Sequence, residues 1–152
     1  MPKQSAGLLV YRRREEKIEV LLVHPGGPYW ASKDIGAWSI PKGEFTTEED
    51  PLATAIREFQ EETGFIPSGE YQALVPTKQS GGKVIHAWAL EADFDATSIQ
   101  SNPFTMEWPP YSGKLQSFPE VDRAEWFALG VAKQKILRGQ VNLLEQLEAR
   151  MR

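Results

Sequence analysis

The chain has 152 residues, 41% apolar and 25% charged, which is ordinary globular usage and enough length for one domain, 1–152, to bury a core without staples. Its formal net charge of −4 offers no general attraction to long nucleic acid or anionic membrane, so a polyanionic ligand needs local basic groups or metal ions. There is no cysteine, which excludes disulfides, thiolate catalysis and zinc-thiolate sites and suits a reducing cytoplasm.

Taken in chain order, the apolar run Ala6 to Val10 is too short for a signal-peptide core or a membrane span, and no longer run follows. A soluble, unprocessed protein is expected. The runs AGLLVYRR and IEVLLVH, on either side of the polar turn REEK, predict paired strands with Leu8, Val10, Leu21 and Val23 in the core. A Gly- and Pro-rich loop, PGGPYWASKDIGAW, leads into SIPKG. From Asp50 to Thr63 the period changes to that of an amphipathic helix, with Pro51 suited to its first position and Gly64 to its C-terminal cap. EYQALVPTKQ and KVIHAWALEADF around SGGK predict a second hairpin. Ser98 to Pro119 carries four prolines without clean periodicity and reads as a functional loop or lid. RAEWFAL predicts a short strand and VNLLEQLEARM a terminal helix. Strands and helices in this order, joined by hairpins, predict an α/β sheet covered by helices on both faces.

The segment from Glu44 to Glu62 holds seven carboxylates, with Arg57 as its only base. On a helix, Glu58, Glu61 and Glu62 stand at i, i+3 and i+4 and share one face, apart from an apolar stripe of Leu52, Ala55, Ile56 and Phe59. A solvated acidic face is the ordinary reading of such a run. Two penalties oppose it: the carboxylates occupy the last turns, where the macrodipole favours cations, and Glu58 repels Glu62 at i, i+4. A divalent cation removes both. Hard oxygen donors suit Mg²⁺ or Mn²⁺.

Gly43, Glu49 and the run REFQEETGF reproduce the signature G-x5-E-x7-R-E-U-x-E-E-x-G-U, with Phe59 and Phe65 at the apolar U sites. The chain thus resembles the Nudix hydrolases. That resemblance implies an α/β/α sandwich with a mixed central sheet, and Mg²⁺- or Mn²⁺-dependent hydrolysis of a diphosphate linkage in a nucleoside diphosphate joined to another group. It implies Glu58, Glu61 and Glu62 as metal ligands, with the carbonyl of Lys42 or Gly43 completing the shell, and Arg57 holding the glutamates in place. Glu49 is expected to orient the helix start, Gly43 to form a tight loop against phosphate, and Gly64 to cap the helix. The general base comes from the helix, as Glu58 or Glu61, or from a later loop before a tryptophan. Glu120, six residues before Trp126, is preferred over Glu107 for that later position.

Candidate phosphate contacts outside the motif are Lys42, Lys33, Lys78, Lys83 and Lys114, and candidate stacking partners are Trp30, Tyr29, Trp108 and Tyr111. His24 and His86 read as structural. Hallmarks of ADP-ribose and dinucleoside polyphosphate hydrolases beyond the motif are absent, since that region reads QSGGK. The resemblance leaves a nucleoside triphosphate or dinucleoside polyphosphate as the expected substrate. ADP-ribose, a diphosphoinositol polyphosphate, or a catalytically silent nucleotide-sensing or partner-binding module are the alternatives.

Overall fold

The computed structural model describes residues 3–152, so Met1 and Pro2 lie outside the described residues. Strands β1 (Gln4–Arg14) and β2 (Lys17–Pro25) form an antiparallel hairpin, with Tyr11 opposite Val20 and Arg14 opposite Lys17. Its two turn residues, Glu15 and Glu16, have φ of 52° and 67°, the geometry of a tight hairpin turn that follows strand twist. Beyond the paired ends the two strands part. The segment Ser39 to Phe45 enters the gap: Ser39 bridges Val23, and β3 (Lys42–Phe45) pairs antiparallel with the first residues of β1. SIPKG, expected as loop, therefore ends in a strand, whose four residues are too few to show a period.

Helix α1 (Pro51–Thr63) follows. The Asp50 side chain accepts the Ala53 N–H at 3.0 Å, Pro51 occupies the first turn, and Gly64 ends the helix at φ 79°, a left-handed conformation that glycine adopts without a Cβ penalty. The second expected hairpin is present but broken on one side. β4 (Gln72–Ala73) and β5 (Thr77–Lys78) both pair antiparallel with β6 (Val84–Glu91), and Pro76 stands between the two short strands.

The reading of Ser98 to Pro119 as an irregular loop is corrected: it contains β7 (Pro103–Glu107) and β8 (Leu115–Pro119), an antiparallel pair forming its own small sheet. Pro103 and Pro119 face each other at the open end of this ladder, where missing donors are tolerated, and Phe104 opposite Phe118 supplies cross-strand packing. β9 (Val121–Ala128) then pairs antiparallel with β2, and is followed by α2 (Leu129–Lys135), which the sequence reading missed, and α3 (Val141–Arg150).

The main sheet runs β4-β6-β1-β2-β9, with β1 and β6 parallel and the other pairings antiparallel. It is a mixed sheet with helices on both faces, as expected. The period-2 alternation of β1 and β2 explains the layers. Leu8, Val10, Leu21 and Val23 face α1 through Ala55 and Phe59, while Leu9, Tyr11, Val20 and Leu22 face the side of α2 and α3 through Ala132, Leu143, Leu144 and Leu147. Each such large side chain fully removed from water contributes about 1.5–3 kcal/mol. No helix is long and apolar enough to cross a membrane among the described residues.

Candidate active site

Burial of Ala55 and Phe59 fixes the rotation of α1, and so turns its acidic side toward β3 and the loop before β9. Gly43 of β3 lies directly beneath Glu58: a Cβ there would collide with the Glu58 carboxyl carbon and Oε1. Glycine at this point lets the backbone approach the carboxylate. Arg57 organises the outer rim, donating to Glu61 Oε1 at 2.9 Å and standing 3.4 Å from Glu58 and 3.7 Å from Glu49. Glu49 in turn accepts the Thr46 N–H at 3.0 Å, closing the turn that starts the helix.

Further in, the balance of charge reverses. Desolvation in the cleft wall pushes the part-buried Glu62 carboxyl up to about 8, with Glu58 adding repulsion and Lys42 opposing it through its charge and its N–H. Glu58 is likewise raised, first by burial and then by Glu61. Glu120 is raised by burial and by Glu61, and Lys42 is lowered, chiefly by burial and then pulled back up by Glu62. Carboxyls on two separate elements thus share one field, with too little positive charge to neutralise it.

Glu62 and Glu120 open onto a cavity of about 240 Å³ with Lys42, Trp30 and the apolar groups Val23, Ile40 and Val121. Trp30 is half-buried there and the Lys33 ammonium sits 5.1 Å from its ring centre. Trp108 does not line this cavity; it packs edge-on against Tyr29 at 5.2 Å, and Phe104 of the same small sheet rests on Gly27. Lys33, Lys78 and Lys114 line neither this cavity nor the one beyond Lys42, whereas Lys83 lines the latter. Tyr111 is almost fully exposed at the tip of the small sheet.

In the sequence reading His24 has a structural role and Arg138 is not singled out. His24 is completely buried, with Nδ1 2.8 Å from Asp122 Oδ1 and Nε2 2.6 Å from the Lys33 carbonyl, and it ties the loop bearing Trp30 to β9 just after Glu120. Arg138, in a single helical turn between α2 and α3, lines the second cavity. His24 and Asp122 lie 98 positions apart in the chain, so no local pattern announces that bond.

Among the described residues, no group of three acidic or histidine side chains is gathered closely enough to hold an ion as it stands. Glu61 is drawn outward by Arg57. The chemistry of the donor set nevertheless fits a hard divalent cation: carboxylates alone, with pKa values raised first by burial and then by one another's charge, beside the backbone of Lys42 and Gly43.

The fold is a mixed sheet between helical layers, with an acidic helix face over a glycine-bearing strand. Residues 1–147 match the NUDIX domain, and the chain belongs to that family. The asymmetrical bis(5'-nucleosyl)-tetraphosphatase of Sus scrofa is 39% identical over 76 residues, 46% of this chain and 47% of that protein, so the match spans about half of that relative's length. Two solved structures show the same fold. The NUDIX domain of Shewanella oneidensis NrtR complexed with ADP ribose has a TM-score of 0.68 at 18% identity, covering 100% of this chain and 90% of that one. A binary complex of the C. elegans Ap4A hydrolase has a TM-score of 0.65 at 24% identity, covering 98% and 97%.

Proposed function

We propose that residues 1–152 act as one Mg²⁺- or Mn²⁺-dependent pyrophosphohydrolase domain, cleaving a diphosphate linkage in a nucleoside triphosphate or dinucleoside polyphosphate. The observation that carries this reading is the convergence of Glu62 from α1, Glu120 from the loop before β9 and Lys42 from β3 on one cleft, with Glu58 of the same helix beside it against Gly43 and the complete family motif supplying the helix. The tetraphosphatase relative supports the choice of substrate.

In this reading Glu58, Glu61 and Glu62 hold the cation, which when bound neutralises the diphosphate oxygens and lowers the pKa of a water. Arg57 sets the orientation of Glu61, and Glu49 and Gly64 fix the two ends of the helix. Glu120, facing Glu62 across the cavity with a raised pKa, is placed to take the proton from the attacking water. Glu58 lies against the backbone of Gly43 and serves in this reading as a ligand. The phosphate side of the substrate meets Lys42 and the N–H groups around Gly43, and Trp30 offers a ring face for a base, with Lys33 backing that ring from outside. Trp108 supports the Trp30 loop through Tyr29.

The test is product analysis with and without Mg²⁺ over nucleoside triphosphates, dinucleoside polyphosphates, ADP-ribose and diphosphoinositol polyphosphates. Glu62→Gln and Glu120→Gln proteins are run in parallel. The expected result is metal-dependent release of a nucleotide, falling by about 10²–10⁴-fold in each variant while the folded state is kept. Normal turnover by Glu62→Gln, or none by the wild-type protein on any substrate, overturns the reading.

A further inference from the structure

Past Lys42 the cleft continues into a second cavity of about 370 Å³, walled by Lys42, Lys83, Arg138, Ser5, Gln79 and Glu44. Gly43, the residue beneath Glu58, also lines it, so the cavity begins at the glutamate set itself. The two cavities share Lys42 and Leu137. One arm is therefore lined by Trp30 and apolar groups, and the other by cations.

Among the described residues eight of the seventeen lysines and arginines pair with a carboxylate and nine do not, and three of those nine line this one cavity. Arg12, Arg57, Lys133 and Lys135 each stand 2.5–2.9 Å from a carboxylate. Among the described residues, Lys42, Lys83 and Arg138 have no ion pair within 4.0 Å. The only acid on the wall, Glu44, has a partner of its own in Lys3 at 3.7 Å. Like charges brought to one concavity repel one another even in a protein whose net charge is −4, and only Lys42 among them shares the field of nearby carboxylates, those of Glu62, Glu44 and Glu58. An anionic ligand reverses that repulsion into attraction.

The walls are also held in place. Gln140, next in the turn after Arg138, is completely buried; its Oε1 accepts the Ile40 N–H at 3.1 Å and its Nε2 donates to Ser39 Oγ at 2.9 Å. This locks the Arg138 turn to the segment that carries Lys42. On the opposite wall, Gly139 approaches Gln79 so closely that a Cβ would lie 2.9 Å from its Cγ, and Thr77 Oγ1 bonds Asn142 Oδ1 at 2.8 Å. The cations are thus presented by three separate segments fixed to one another, with Lys42 part-buried and Lys83 and Arg138 exposed at the mouth of the cavity.

We propose that the cavity framed by Lys42, Lys83 and Arg138 seats the phosphate groups of the substrate that extend beyond the cleaved linkage, making a polyphosphate-chain nucleotide the preferred substrate over a simple diphosphate such as ADP-ribose. This deepens, and rests on, the hydrolase reading above. A nucleotide bound with its base at Trp30 and its diphosphate at the glutamates carries its remaining phosphates past Gly43 into the cationic arm, where Ser5 and Gln79 supply neutral hydrogen-bonding groups. A sugar in that position finds charge it cannot use.

The experiment has two arms, both on the full chain, with Lys83→Ala/Arg138→Ala as the test protein and Lys17→Ala as a control for loss of one remote charge. In the first, tripolyphosphate is titrated calorimetrically into protein in metal-free buffer. Binding at least tenfold weaker in the double variant, and within twofold of wild type in Lys17→Ala, is expected; equal binding by wild type and double variant, or no binding by wild type, overturns the proposal. In the second, kcat/KM is compared for a dinucleoside tetraphosphate and ADP-ribose with Mg²⁺. The double variant is expected to lower the ratio of the two at least tenfold through KM, and an equal fall for both substrates, or none, counts against the site. Should no substrate turn over, the hydrolase reading fails while the tripolyphosphate titration still decides the cavity.

Discussion

The two faces of α1 are built on opposite terms. One face is apolar and complete: Ala55 and Phe59 are fully buried against Leu8, Val10, Leu21 and Val23, and nothing about that contact awaits a partner. The other is charged and incomplete, with Glu58 held above its ordinary pKa by burial and then Glu61, and Glu62 by burial and then Glu58. At Arg12, by contrast, desolvation is outweighed by bonds of 2.8 Å to Glu19 and to Asp93, and the cation lies 4.2 Å above the Trp126 ring. Charge in this protein is balanced where it serves the fold. It is left unbalanced where we place the chemistry, and the apolar face of the same helix bears the strain.

Breaking the apolar face carries the largest expected effect on stability. Phe59→Ala removes a fully buried aromatic and should cost about 3–5 kcal/mol in urea denaturation, with a loss below about 1 kcal/mol showing that the helix is anchored elsewhere. Relieving the acidic face should do the reverse. Metal-free Glu62→Gln is expected to be more stable than wild type at pH 8, by an amount on the order of a few kcal/mol.

The pH dependence sharpens the same contrast. A carboxyl at about 8 in the folded state and near its ordinary value in the unfolded chain keeps its proton longer when folded. The folded state binds more protons at Glu62 between those values, so the contribution of Glu62 to metal-free stability is greatest at low pH and falls as pH rises from about 4.5 to about 8. Glu62→Gln, or wild type saturated with Mg²⁺, should lose most of that slope in thermal scans across the window. Equal slopes in wild type and Glu62→Gln would show that Glu62 is not strained.

Smaller effects separate the helix ends from its centre. Asp50→Ala should cost about 1 kcal/mol by removing the N-cap bond to Ala53, with no change in metal response. Arg57→Ala should change metal-free stability by only about 0.2–1 kcal/mol, because its pairs are exposed, while lowering metal affinity or activity about 10–100-fold through the misplaced Glu61. Equal and small effects on both measurements would reduce Arg57 to an ordinary surface pair.

Much of this was legible before any coordinates. The helix over Asp50–Thr63, with its cap residues and its two faces, follows from spacing, because helix periodicity and capping are decided within a few residues. The paired strands β1 and β2 followed from β-branched runs around a polar turn. The β7–β8 sheet did not, since prolines and short alternating stretches look like loop until Phe104 meets Phe118 and rests on Gly27. β3 was invisible for a similar reason: its four residues pair with β1, some forty positions earlier.

The candidate site divides along the same line. The sequence by itself determined the glutamates, the arginine among them and the glycine at the end of their helix, because all belong to one local motif. Tertiary structure alone decided that Glu120 meets Glu62, that Trp30 rather than Trp108 lines the cleft, and that Lys83 and Arg138 join Lys42 around a second cavity while Lys33, Lys78 and Lys114 do not. The physical reason is range. Spacing along a helix is set by bonds a few residues long, whereas a cavity is the space left where β3, the turn before β6 and the turn before α3 are packed together.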